Sequence, residues 1–151
     1  MWLIRTDILG QTCIYDETGN CLEGEERWVR TFGTSGNDYG NSVTQVDGQY
    51  ISVGKSGRIP SFYVIKVDAE GQKIWEKLYG EGPNDNAQYV IEPASQYPNY
   101  VVIGQSNDPN TPDSDISIIG INAEGNANWN RTIQYGNSTN EIGNYISYLN
   151  G

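Results

Sequence analysis

One phrase is written three times in this chain, and it limits the folds available more than any other feature. Tyr63 to Trp75 reads Tyr-Val-Ile-Lys-Val-Asp-Ala-Glu-Gly-Gln-Lys-Ile-Trp, a β-branched run, an Asp-x-x-Gly turn and a second run. It returns from Ile118 to Trp129 as Ile-Ile-Gly-Ile-Asn-Ala-Glu-Gly-Asn-Ala-Asn-Trp, and its first part opens the chain from Leu3 to Gln11. The tryptophans Trp28, Trp75 and Trp129 are spaced by 47 and 54 residues. A second marker, Asn37 to Val43, recurs at Asn84 to Val90 and at Asn140 to Ile146. A third, Tyr50 to Ser56, recurs at Tyr100 to Ser106. Three markers in a constant order define an internal repeat, the pattern of folds that stack one supersecondary unit on the next.

Within one period the residues read as four strands. Asn41 to Val46 is the first, and Asp47-Gly48 is a two-residue hairpin turn. Gln49 to Lys55 is the second, followed by a loop from Ser56 to Ser61. Phe62 to Val67 is the third, rich in β-branched and aromatic residues. In the Asp68 to Gly71 turn the Asp side chain can bond its own backbone and the Gly can take positive φ. Gln72 to Tyr79 is the fourth. No segment has helical periodicity. Glycine (18) and tyrosine (11) are abundant in the 151 residues, which suits short strands and turns.

Four short antiparallel strands per repeat are the pattern of a β-propeller blade. The expected fold is therefore all-β: a β-propeller of about three blades, as a piece of a larger propeller. Residues 1–36 form a half blade with an extra hairpin, 37–83 and 84–139 are blades, and 140–151 is a half blade. The tryptophans are expected between blades, tying adjacent sheets together. Gly54 and Gly104 are expected where backbones approach closely or bend. About three blades is below the usual range, so the partners expected are further blades of the same propeller or a second copy of the chain. No leader-like segment precedes the first strand, and a strand starting at Trp2, in mid-repeat, fits a piece of a longer chain.

Composition excludes several functions. The net charge is −10, from 19 acids against 9 bases, which disfavours nucleic acid. No apolar run reaches the length of a membrane span. There is no histidine, so Ser-His-Asp and Cys-His catalysis and His-ligated metals are removed. Carboxylate chemistry remains open, but no pair of acids stands out as a glycosidase pair.

The remaining candidate sites each have a plainer reading. The loop from Asn107 to Asp115 is rich in oxygen donors, with Asp108, Asn110, Asp113 and Asp115 as candidate Ca²⁺ ligands. Its spacing is not that of an EF-hand, and its two prolines suit a simple exposed loop, so the expected cofactor is none, with calcium as the alternative. The repeated Asn-(Asp/Glu)-x-(Gly/Ala) elements at 37–40, 84–87 and 140–143 read as a ring of acids for a cation or sugar, or as turn caps made once per repeat. Repetition favours caps. Cys13 and Cys21 lie on the two arms of the extra hairpin and form either a disulfide, implying an oxidising compartment, or two reduced thiols. Exposed Tyr and Trp rings suit sugar stacking, against burial between blades. Asn130-Arg131-Thr132 and Asn137-Ser138-Thr139 have the form of glycosylation sequons, which an Asn-rich chain contains by chance.

The segment from Trp2 to Gly10, the phrase from Tyr63 to Trp75 and the Trp-x-x-x-(Phe/Tyr)-Gly stretches Trp28 to Gly33 and Trp75 to Gly80 together resemble the tandem β-propeller repeats of bacterial and archaeal secreted and cell-surface proteins. The resemblance covers nearly the whole chain. The third copy departs from it, with Asn122 in place of Asp68 and two more residues between Trp129 and its glycine. Asp68, Gly71 and Trp75 are also similar to the docking motif of quinoprotein propellers, with a turn about one residue shorter, so no quinone is implied. The sialidase-type Asp box is absent. The resemblance implies a non-enzymatic repeat module of an exported or surface protein, serving as scaffold or as a surface binding protein or carbohydrate. The alternative is the propeller portion of a secreted carbohydrate-active enzyme.

Overall fold

The computed structural model describes residues 1–4, 14–15, 17–18, 21–22, 28–80, 82, 85–92, 100–107, 113–133 and 139–147. Among them every regular element is a β-strand. Four short strands come first: β1 (Trp2–Ile4), β2 (Ile14–Tyr15), β3 (Cys21–Leu22) and β4 (Val29–Thr31). β1 pairs with β4 and β2 with β3, both antiparallel. Two four-stranded meanders follow. The first sheet holds β5 (Tyr39–Val46), β6 (Gln49–Lys55), β7 (Phe62–Val67) and β8 (Lys73–Tyr79). The second holds β9 (Asn86–Ile91), β10 (Tyr100–Asn107), β11 (Ser114–Ile121) and β12 (Ala127–Ile133), in the same order and all antiparallel.

The turns form for the reasons their residues give. Asp47 and Gly48 both have positive φ, 48° and 76°, the geometry that matches hairpin twist. Asp68 Oδ1 accepts from the amides of Glu70 and Gln72, and Gly71 sits at φ 77°. In the second sheet Asn122 Oδ1 accepts from Glu124 and Asn126, with Gly125 at φ 79°. Asn therefore replaces Asp without loss, because one acceptor oxygen is all the turn uses.

Gly54 and Gly104 mark close backbone approach, as expected. A Cβ on Gly54 would stand 1.8 Å from Tyr39 O, and one on Gly104 would stand 2.1 Å from Asn86 O. Both lie beside register shifts, Gly40/Ser42 opposite Gly54 and Ile103/Gly104 itself. The bulge lets β5 pair on to Tyr39, two residues beyond the sequence expectation.

The first sheet is covered on both faces, and β7 is accordingly buried at every position. On one face Val46, Ile51, Val53, Phe62 and Val64 pack against Ala87, Val90, Val102, Ile119 and Ile121 of the second sheet. On the other, Ile65 and Val67 pack against Leu3 and Trp28. The far face of the second sheet is partly covered by residues 139–147. There Glu141 N donates to Ser114 O and Gly143 N to Gly104 O. Gly143 lies so close to Ile103 and Ile116 that a Cβ would stand 2.5 Å from Ile103 Cγ1.

Candidate functional site

The side chains the repeat singles out converge on joints between sheets. Trp28 is 6% exposed, and its Nε1 donates to Ala69 O at 2.7 Å. Its ring lies over Gly71, where a Cβ would be 2.5 Å away. Trp75 repeats this on the second sheet: Nε1 donates to Ala123 O at 2.9 Å, and the ring lies over Gly125. Tyr79 reinforces the second joint, its hydroxyl donating to Gly125 O at 2.7 Å. The turns at Asp68 to Gly71 and Asn122 to Gly125 are thus each a socket for the tryptophan of the preceding repeat. Glycine is required because the ring occupies the space of a side chain.

The inner strands make a second kind of joint. Asn41 Nδ2, on β5, donates to both Asn86 Oδ1 and Ala87 O on β9. Ala87 is fully buried against the first sheet, and its counterparts Gly40 and Gly143 stand against Met1 and Ile103. Tyr145 packs against Tyr89 with ring centroids 4.8 Å apart and planes tilted by 45°. The segment 140–146 therefore meets the second sheet as β9 meets the first.

The repeated acids are caps in two of the three copies. Asp38 Oδ2 accepts from Thr34 N, and its Oδ1 accepts from Gly57 N and the Thr34 hydroxyl. Burial opposes its ionisation, but these donors outweigh it and hold the carboxyl below its ordinary range. Asp85 is fully buried; its Oδ2 accepts from Gly82 N and its Oδ1 from Asn107 N. Glu141, the third copy, bonds instead with the Thr139 hydroxyl.

Of the four calcium candidates, Asp108 and Asn110 lie outside the described residues. Asp113 stands just before β11 and Asp115 within it, and both are buried, not exposed. Asn107 joins them, its Nδ2 donating to Asp113 O, while Asn107 Oδ1 and Asp113 Oδ1 are buried with no hydrogen-bond partner in the protein. Among the described residues no three acids or cysteines stand close enough to hold a metal ion. Cys13 also lies outside the described residues; Cys21 stands opposite Tyr15 in the hairpin register.

Two clefts remain. One of about 180 Å³ lies between the sheets, lined by Gln49, Lys66, Glu92 and Tyr100, with the Lys66 ammonium 5.3 Å from the Tyr100 ring centroid. A second, of about 520 Å³, is an open hollow beside Met1 and residues 36–40. The lining of the cleft between the sheets also includes Asp47, so two carboxylates, Asp47 and Glu92, border it together with Lys66. Glu76 accepts from the Tyr63 hydroxyl at 2.8 Å and pairs with Lys73 at 3.0 Å. Burial works against its ionisation, but these two partners prevail and its pKa is lowered.

No known family model matches the chain, and no curated protein matches it significantly. Sequence reasoning missed the Asn41 bridge and the sockets' direction. Both depend on which strand of the next repeat lies alongside, a tertiary fact.

Proposed function

We propose that the chain is a non-enzymatic β-propeller repeat module of an exported or surface protein, acting as scaffold and interaction surface. The observation that carries this reading is the tryptophan-to-turn joint, made twice with the same atoms. Propeller blades stack in this manner around an axis, with inner strands adjacent and outer strands apart. The β5–β9 and β8–β12 placements support that arrangement. The prominent residues of the repeat, Trp28, Trp75, Asp38, Asp85 and Asn41, are occupied in holding it together, which leaves them no part in chemistry. Among the described residues no helix is long and apolar enough to cross a membrane.

The test is a turnover assay with the purified chain on chromogenic α- and β-glycosides from pH 4 to 8. No release above the blank is expected. Turnover abolished by a single carboxylate-to-amide substitution would overturn the reading and put the propeller beside a carbohydrate-active site.

A further inference from the structure

The cleft between the two sheets holds a charge that the packing around it does not explain. Lys66 lies on the face of β7 that carries Phe62 and Val64 into the apolar joint with the second sheet. It is 8% exposed, and a lysine is almost never buried in this way unless it is paired. Yet among the described residues no carboxylate forms an ion pair with it. Its ammonium stands 5.3 Å from the ring centroid of Tyr100, and Asp47, Gln49 and Glu92 border the cleft beside it.

The two four-stranded sheets do not share this cation. Lys66 stands two residues before Asp68; two residues before Asn122 the second sheet has Gly120, against which the Trp129 indole lies. Arg5, the counterpart in the first copy of the phrase, lies outside the described residues. Tyr50, which the repeat matches to Tyr100, meets no charge; it meets the Trp28 ring edge-on, with centroids 5.7 Å apart.

The charges select the ligand. The buried ammonium forms the floor, and the two exposed carboxylates form the rim. One cation and two carboxylates leave the lining at −1, on a chain of net charge −10, so an anion is repelled. A cation is repelled at the floor. What suits both levels is a neutral group that accepts from the ammonium and donates to the carboxylates, and a hydroxyl does both. A sugar ring presents hydroxyls all around its edge, whereas an α-amino acid has one donor group for two carboxylates. The volume of about 180 Å³ is below the roughly 300–1,000 Å³ of pockets for drug-sized ligands and suits one sugar residue.

We propose that this cleft binds a single neutral sugar residue, with Lys66 donating to one hydroxyl and Asp47 and Glu92 accepting from others. Tyr100, 5% exposed, holds the ammonium through its ring and offers no open face for stacking. The Gln49 amide adds a donor and an acceptor at the same rim. This site rests on the interaction-surface reading above and gives it a ligand class.

The experiment follows amide proton–nitrogen correlation spectra of the isotope-labelled chain during titration with the methyl glycosides of glucose, galactose, mannose, xylose and N-acetylglucosamine. Each is taken to about 50 mM, enough to saturate a millimolar site, with glycine as the zwitterionic comparison. At least one glycoside is expected to give saturable shifts at Asp47, Gly48, Gln49 and Glu92. Lys66→Met, which keeps the length of the stem, and Glu92→Ala are each expected to weaken that binding at least about fivefold, the loss of one charge-assisted hydrogen bond. Glu92 is exposed, so its substitution reads the site even where Lys66→Met alters the packing. The absence of saturable shifts at the cleft with all five glycosides overturns the proposal. So does binding that Glu92→Ala leaves unchanged, or glycine moving the same amides at lower concentration than every glycoside. Each of these results leaves the scaffold reading intact, since that reading fails only on glycoside turnover.

Discussion

Replacing Asp85 with alanine tests most directly how the repeat is held. The carboxyl is fully buried and accepts from Gly82 N at 3.0 Å and Asn107 N at 2.9 Å. Gly82 and Asn107 are themselves buried, so water does not replace the lost acceptor. Each stranded amide costs about 1–3 kcal/mol. With partial relaxation the sum is roughly 3–5 kcal/mol, a fall in Tm of roughly 6–20 °C for a chain of this size. Asp38 is the internal control. It holds equivalent amides, Thr34 N and Gly57 N, but is only half-buried, and solvent reaches its donors. Asp38→Ala is therefore expected to cost about 1–2 kcal/mol. Asp85→Asn should fall between, because its amide oxygen accepts one bond while its NH₂ faces the second donor. Urea unfolding followed by circular dichroism measures all three. If Asp85→Ala costs less than about 1 kcal/mol, or no more than Asp38→Ala, the burial argument fails.

Gly71→Ala combines a φ of 77° with a Cβ 2.5 Å from the Trp28 ring, so a loss of about 2–3 kcal/mol and a red shift in tryptophan emission are expected. Emission unchanged from wild type would mean that Trp28 does not sit in this socket. Asp38 and Glu76 both have carboxyls held below their ordinary values of 3.8 and 4.5. Their contribution is fully present above those values and is lost as pH falls through the lower folded ones. Urea midpoints should therefore drop between about pH 5 and pH 2, less steeply in Asp38→Asn; equal slopes would remove Asp38 from the account. Burial, foremost, raises the pKa of Tyr63 and Tyr79, with Glu76 adding to the effect at Tyr63. Two tyrosine equivalents should then resist ionisation at about pH 11 until the chain unfolds, read by absorbance near 295 nm. Addition of about 5 mM Ca²⁺ should move the Tm by less than about 1 °C, since no trio of acids converges among the described residues; a shift of several degrees would assign a site at residues 107–115.

The strands were largely legible because the repeat states their chemistry more than once. Gln49–Lys55 and Phe62–Val67 have the same limits in sequence and structure, fixed by Asp47-Gly48 before and Asp68 to Gly71 after. β5 was misjudged at its start because a bulge opposite Gly54 carries its pairing on to Tyr39, and bulges depend on the partner strand. The two caps look alike in sequence, yet Asp38 is half-buried and Asp85 wholly buried. The difference arises from the chain around them, not from the motif. Asp113 and Asp115 read as loop residues because prolines and acids surround them, but pairing of β10 with β11 as far as Asn107 and Ser114 draws them inside. The tryptophans were expected between sheets. Which turn each one meets was beyond any one-dimensional pattern.

Trp28 and Trp75 each reach forward to the repeat after them, and neither reaches back. A gene encoding such a chain can gain or lose one whole period by unequal crossing-over, and the new neighbours meet through a ring and a turn that already match. Repeat number is then free to drift under selection for size and curvature. Point changes at Trp75, Gly71 or Gly125 are not free in this way, because each removes one half of a joint whose other half remains.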